Sequence, residues 1–278
     1  MAVFKNGIFA TYNGQIVTPQ SLGISLAGIQ TCHQFFSSGS LTDTTQRYAV
    51  YALVADLENY GLWDKMKAIY PIVSDGINQT RAFQHKFNLK DPRDLDAAYR
   101  LVFTEEGWTH SSNGILGNGI NNSAQTYYIQ TNFLLGLSIY NRTNSNKLGY
   151  DIGQQDLVSQ AWTHLVLGLG STSMRARNST NGNIDYNYGS TNIGFWQTNR
   201  VSTSTNGWNV NYNGVVVGQN SNFGNTLPTD QILIGGNGGI YPDREYSFAA
   251  IHDGLTDTEA ANFYTAVQRF QTTLGRQV

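Results

Sequence analysis

Cleaving a glycosidic bond takes two carboxyl groups flanking the scissile oxygen, one as acid and one as nucleophile or base. This chain does not pair its glutamates that way. Glu105 and Glu106 are adjacent, so in a strand they point to opposite faces, and Glu245 stands alone. The histidines, His33, His85, His110, His164 and His252, have neither metal-ligand spacing nor a cysteine or carboxylate cluster beside them. His252, next to Asp253 and Gly254 at a strand end, can cap the turn, but a catalytic base there lacks a nucleophile in the sequence. The glycine run 235–239 lacks the Lys-Ser/Thr of a phosphate-cradling loop and precedes a strand, so it reads as a turn. What remains is stacking chemistry. Trp196, Trp208, Tyr186 and Tyr188 lie near Asn-rich stretches, where flat rings suit the apolar faces of sugars. The competing assignment is half-buried sandwich or interface, which is where aromatics commonly go.

The elements that must position these residues are mostly strands. With 29 glycines, 5 prolines and 12% aromatics among 278 residues, the composition favours an all-β chain with many turns. Charged residues make up 13% and the net charge is −2, which leaves no electrostatic footprint for nucleic acid. No segment approaches a membrane span, no secretory signal is expected at the start, and the single cysteine, Cys32, leaves no intrachain disulfide. The sequons at Asn121, Asn141 and Asn178 then carry no information.

Residues 1–38 read as a strand-rich arm, with strands at 3–11 and 15–17 and a Gly/Ser-rich run to Phe36. A hairpin of that size is marginal alone, so it is expected to pair with another surface or subunit. A helix over 43–60 follows, with Val50, Leu53, Val54 and Leu57 on its face and Gly61 as its stop. Strands are expected at 69–73, 82–89 and 100–104, with a short helical turn at Asp91-Pro92. Further strands are expected at 125–130, 133–140, 147–152, 161–168, 173–178, 194–199, 210–212 and 215–217, with polar loops at 141–146 and 178–190. An Asn213-Gly214 type I′ turn would set Tyr212 opposite Val215 and Val210 opposite Val217 on an inner face, leaving Asn209 and Asn211 mostly wet.

The chain closes with a helix over 257–272 whose start, face and stop are all visible. Thr256 and Glu259 form a capping box, and Gly275 ends the helix. Ala260, Phe263, Tyr264, Val267, Phe270 and Leu274 form a stripe that must lie on a sheet.

In order, 160–166 (QAWTHLV), 209–218 (NVNYNGVVVG), 231–236 (QILIGG) and the LTDTE start at 255–259 resemble the end of a laminin-G-like, concanavalin A-like antiparallel β-sandwich. The resemblance implies core positions for Trp162 and His164. It also implies a glucanase-type Glu-x-Asp-x-x-Glu strand, which this chain lacks, and a calcium ion at the rim in some members. Asp151, Asp156 and Asp185 are the oxygen donors on offer, without the dense cluster such an ion needs. The stretches 63–73 (WDKMKAIYPIV), 86–103 (KFNLKDPRDLDAAYRLVF), 107–112 (GWTHSS) and 254–278 resemble a module of tailed-bacteriophage virion proteins. This second resemblance implies a structural head-fibre, capsid-decoration or tail-fibre subunit with a lectin-like domain, residues 39–278, attached through the arm to other virion proteins. It implies a homo-oligomer without cofactor or enzymatic activity, assembled in the host cytoplasm. The alternative is a glycan-binding adhesin or receptor-binding protein.

Overall fold

A computed structural model describes residues 10–12, 15–18, 22–104, 106–156, 160–170, 172–178, 182–202, 207–222, 224 and 226–278. The elements are, in chain order, β1 (Ala10–Tyr12), β2 (Gln15–Val17), α1 (Leu26–Ser38), α2 (Thr44–Asn59), β3 (Met66–Tyr70), α3 (Arg81–His85), β4 (Val102–Phe103), β5 (Trp108–His110), β6 (Ile115–Gly117), β7 (Ala124–Ile129), β8 (Leu135–Asn141), β9 (Gly149–Gln155), β10 (Trp162–Leu169), β11 (Ser173–Asn178), β12 (Asn183–Asn187), β13 (Gly194–Arg200), β14 (Trp208–Tyr212), β15 (Val215–Asn220), β16 (Gln231–Ile234), β17 (Glu245–Asp253) and α4 (Asp257–Thr273).

Two antiparallel sheets form a sandwich. One has seven strands in the order β12-β11-β10-β9-β16-β7-β4; the larger runs β15-β14-β13-β8-β17-β6-β5, with β3 also pairing β17. Ile139, Trp196, Trp208 and Ile251 of the larger sheet meet Ile152, Leu165, Met174 and Ile234 of the smaller one in the inter-sheet core. On its other face the larger sheet presents Tyr140, Phe195 and Phe248 to α1, α2 and α4. The order of layers is therefore helices, larger sheet, smaller sheet. Burial along single strands shows the same order. Every residue of β8 and β13 is buried, as expected of strands covered on both faces, whereas β11 alternates between half-buried and buried. Among the described residues, the smaller sheet keeps its outer face open, and the larger sheet is open at its edge strands.

The closing helix forms as its sequence dictates. The capping box is made, Gly275 adopts φ +65°, and Ala260, Phe263, Val267 and Phe270 are buried, with Tyr264 and Leu274 packed at the margin. In α2 the Asp43 carboxylate accepts from the Gln46 amide at 2.8 Å, and burial runs from Tyr48 to Leu57, wider than one stripe, because α1 and α4 flank it.

Several expectations fail. The run from Leu26 to Ser38 is helix α1 rather than part of a strand-rich arm. Ser25 caps it, and Cys32, Phe35 and Phe36 enter the core at helical spacing. Gly28 lets α1 lie against α2, since a Cβ there would stand 2.6 Å from Glu58 Oε1. The β1–β2 hairpin exists; residues 1–9 and its Asn13-Gly14 turn lie outside the described residues. The strand expected at 82–89 does not form: Thr80 caps α3 up to His85, and 86–89 is irregular, with Phe87 meeting Phe83 edge to face at 5.3 Å. The helical turn comes late, as a 3₁₀ turn at Asp96–Ala98. The loop expected at 178–190 contains β12.

The Asn213-Gly214 turn has both residues at positive φ and pairs Tyr212 with Val215, but a bulge then sets Val210 opposite Gly218 rather than Val217. The face expected to be wet is buried under α4. Asn209 Nδ2 donates to Asp257 Oδ1 at 2.5 Å, and Asn199 Nδ2 donates to Asn211 Oδ1 at 3.0 Å.

Candidate functional site

The four stacking candidates do not form a site. Trp196 and Trp208 are both 0% exposed. Each indole is saturated inside the sandwich, Trp196 donating to Asn192 O at 2.9 Å and Trp208 to Asn222 O at 3.0 Å, and Trp196 stacks on Tyr212 with centroids 4.2 Å apart. Tyr186 pairs with Met174 on the inner side of the smaller sheet, and Tyr186 and Tyr188 lean on Trp196. These rings belong to the packing of the sandwich edge. They offer no open platform.

The carboxylates and histidines are likewise engaged. Asp151 is buried in an ion pair with Arg244 at 2.6 Å and accepts from the Tyr246 hydroxyl at 2.5 Å. Asp156 accepts from Thr229, and Asp185 pairs with Arg175. Among the described residues no three His, Cys, Asp or Glu side chains gather as a metal site would require. Glu245 pairs with Arg142 at 2.5 Å, and Glu105 lies outside the described residues. Ser138 Oγ and His252 Nε2 are 2.7 Å apart, a nucleophile–base pair the sequence did not reveal, yet both are 0% exposed, so no substrate bond reaches them. Burial lowers the His252 pKa to about 4.

The open face of the smaller sheet has features of another kind. One row of cross-strand partners runs from Arg177 on β11 through His164 on β10, Gly153 on β9 and Leu233 on β16 to Gln125 on β7. With strands ~4.8 Å apart, the row spans about 19 Å. Gly153 at its centre has φ +141°, and a Cβ there would come within 2.5 Å of His164 Cα and Cβ.

At the β7 end the pairing slips. Gln231 faces Ile129 while Leu233 faces Gln125, so β7 spends extra residues in a bulge. Thr126 Oγ1 donates to Ile232 O at 2.6 Å, and the Tyr127 amide donates to Gln231 Oε1 at 2.7 Å, fixing Tyr127 at φ +58°. A left-handed tyrosine is costly, and such strain collects at ligand-contacting positions. Tyr127 lines a depression of ≈ 390 Å³ together with Gln125, Ile129, Asp230, Gln231 and Asn237. Ring, amides and one carboxylate around a shallow hollow form a donor–acceptor set suited to hydroxyl-rich ligands.

At the other end, Trp162 lies on the outer face, half-buried, and not in the core. The Arg177 guanidinium carbon sits 3.9 Å from its ring centroid. Tyr150 meets His164 edge to face at 5.0 Å, and His164 is packed beneath these groups with its Nδ1 unpartnered. Burial, then Arg177 and Arg175, press the His164 pKa down to about 3, so the ring is neutral. The sequence could not assign Trp162 to a face, because 162, 164 and 166 and the alternate set 163, 165 and 167 are similarly apolar. A bulge such as the one at Tyr127 leaves no mark in residue types.

No protein-family model matches this sequence, and no curated protein sequence matches it. Among solved structures, a Trypanosoma rangeli sialidase in complex with 2,3-difluoro-KDN is similar with TM-score 0.50 at 9% identity, over 78% of this chain and 39% of that one. Domain 4 of AbnA, a GH43 extracellular arabinanase from Geobacillus stearothermophilus, in complex with arabinotriose, is similar with TM-score 0.46 at 12% identity, over 72% and 98% of the two chains. The chain spans about 39% of the sialidase's length, and the likeness is one of fold. The fold is an antiparallel β-sandwich.

Proposed function

We propose that this chain is a glycan-binding module whose ligand lies across the open face of the smaller sheet. The observation that carries this reading is the β7 bulge, which holds Tyr127 in a strained conformation at a polar-lined depression on a sheet face the helices do not cover. A single ring with a few amides gives weak single-site affinity, roughly millimolar to micromolar, so useful avidity requires several copies. The reading includes no hydrolysis, since Glu245 is paired and the Ser138–His252 pair is sealed. A glycan array probed with multivalent protein is expected to give binding that Tyr127→Ala weakens at least tenfold, with no release of reducing ends. Undiminished binding by that variant would move the site elsewhere.

A second reading, a bacteriophage virion subunit displaying this module, rests on the resembling sequence stretches. The stretch 63–73 supplies β3 on β17, 86–103 packs beside it, where the Leu89 amide donates to Ile69 O, and 254–278 supplies α4. The stretch 86–103 also supplies β4 on β7 of the smaller sheet, so the resembling stretches run through all three layers. This reading makes other virion proteins the partners, the particle the location, and the other copies the source of avidity. Antibody labelling of intact particles tests it, and unlabelled particles that lack the chain by mass spectrometry would sink it.

A further inference from the structure

The Arg177 end of the open face differs in chemistry from the Tyr127 end. Arg175 is satisfied, its Nε and Nη2 each donating to the Asp185 carboxylate at 2.7 Å. Arg177 is not: its Nε donates to the neutral amide oxygen of Asn183, and among the described residues no carboxylate lies within ion-pair distance of it. Its plane is held over the Trp162 ring, which fixes its direction. Beneath it are two buried polar atoms without partners, Trp162 Nε1 and His164 Nδ1, and His164 is only 2% exposed. Both atoms are enclosed, so the guanidinium is the group of this cluster that faces a ligand. An oriented guanidinium without a counter-charge favours a planar bidentate anion.

We propose that this end of the face seats the carboxylate of an acidic sugar, held by Arg177, so that the ligand is an anionic oligosaccharide running across the strands with neutral residues toward Tyr127. The inference rests on the glycan-binding reading and narrows its ligand class. The ~19 Å span of the row calls for an oligosaccharide rather than a monosaccharide. Trp162 acts as the platform that holds Arg177 flat, and Asp185 prevents Arg175 from competing for the carboxylate. Uronic and sialic acids share the required group.

The test is titration calorimetry on the full chain with hexagalacturonate and with a sialic-acid-capped trisaccharide, each beside its carboxyl-reduced form. At least one acidic ligand is expected to bind about tenfold more tightly than its reduced form, the value of one charge-assisted contact. Arg177→Gln should abolish that preference and leave the affinity for the reduced form unchanged. Arg177→Lys should keep only part of it, and Tyr127→Ala should weaken both forms alike. Which acid shows the preference identifies the source of the carboxylate. Equal binding of acidic and reduced forms, or a preference that survives Arg177→Gln, overturns the carboxylate site while leaving glycan binding intact. No binding to any of the four ligands overturns both.

Discussion

A glycine is normally worse than an alanine in a strand, by roughly 0.5–1 kcal/mol. At Tyr127 the order should reverse, because φ +58° costs any side chain with a Cβ about 1–2 kcal/mol. Tyr127→Gly is therefore expected to unfold at a higher denaturant concentration than Tyr127→Ala, while both lose glycan binding. If alanine is the more stable variant, Tyr127 is not left-handed in solution and the bulge is misassigned. The contrast with Trp196 and Trp208 explains why the sequence pointed to the wrong rings. Both tryptophans sit beside Asn-rich segments, yet it is the rings that turn inward, where the backbone carbonyls of Asn192 and Asn222 saturate the indoles. Residue type showed that aromatics and amides are neighbours. Which side of the sheet they occupy depends on strand parity and on bulges at β7, β9 and β15, which residue types do not record.

Elements with their own local punctuation were legible; elements defined by what they touch were not. The capping box and periodic stripe of α4 specify it without tertiary help, and Phe263 is its most enclosed aromatic, meeting Phe195 at 5.4 Å and Phe248 at 5.9 Å. Phe263→Ala is expected to cost about 3–5 kcal/mol, whereas Thr265→Ala on the exposed side should cost under about 0.5 kcal/mol. Comparable urea midpoints for the two variants would mean that α4 does not pack on the sheet. Helix α1 was hidden because Gly28, the terminal Ser37 and Ser38, and the flanking Gly23 and Gly39 imitate a loop. Its start is held in place by Glu58 accepting from the Ser25 amide and hydroxyl, a contact 33 residues away in sequence. Helix α3, at five residues, was hidden by brevity, since one turn shows no periodicity. The helical layer was thus only half visible, and the open face of the smaller sheet could not be inferred until that layer was known to cover the other one.

At the scale of the whole molecule, buried histidines tie both cores to pH. Burial holds His85 well below 6.5, His110 and His252 near 4, and His164 near 3, and His85 and His110 share an Nδ1–Nδ1 contact of 3.0 Å. Below pH 6.5 the unfolded chain binds protons that the native state refuses, so stability must fall with pH from about 6.5 toward 4, each histidine adding up to about 1.4 kcal/mol per pH unit. Asp75, held well below the usual carboxylate range by hydrogen bonds from Gln84 and Thr42 despite partial burial, extends the loss further into acid. Urea midpoints that stay level between pH 7 and 5 would contradict this. The same two-core architecture revises how the N-terminal region divides. The sequence places a removable arm at residues 1–38, but the structure assigns Cys32, Phe35 and Phe36 of α1 to the core of the helical layer, which leaves the β1–β2 hairpin, lying beside α2, as the part outside that core. Burying Phe35 and Phe36 alone stabilises by roughly 3–6 kcal/mol, a large part of the 5–15 kcal/mol typical of a domain. A chain beginning at Leu22 should therefore melt cooperatively near the full-length temperature, whereas one beginning at Ser40 should lose much of that stability and expose the apolar face of α2. Calorimetry on the two truncations separates the cases: equal melting temperatures would restore the 38/39 boundary and make α1 an appendage, and loss of folding in the longer form would place the hairpin itself within the core.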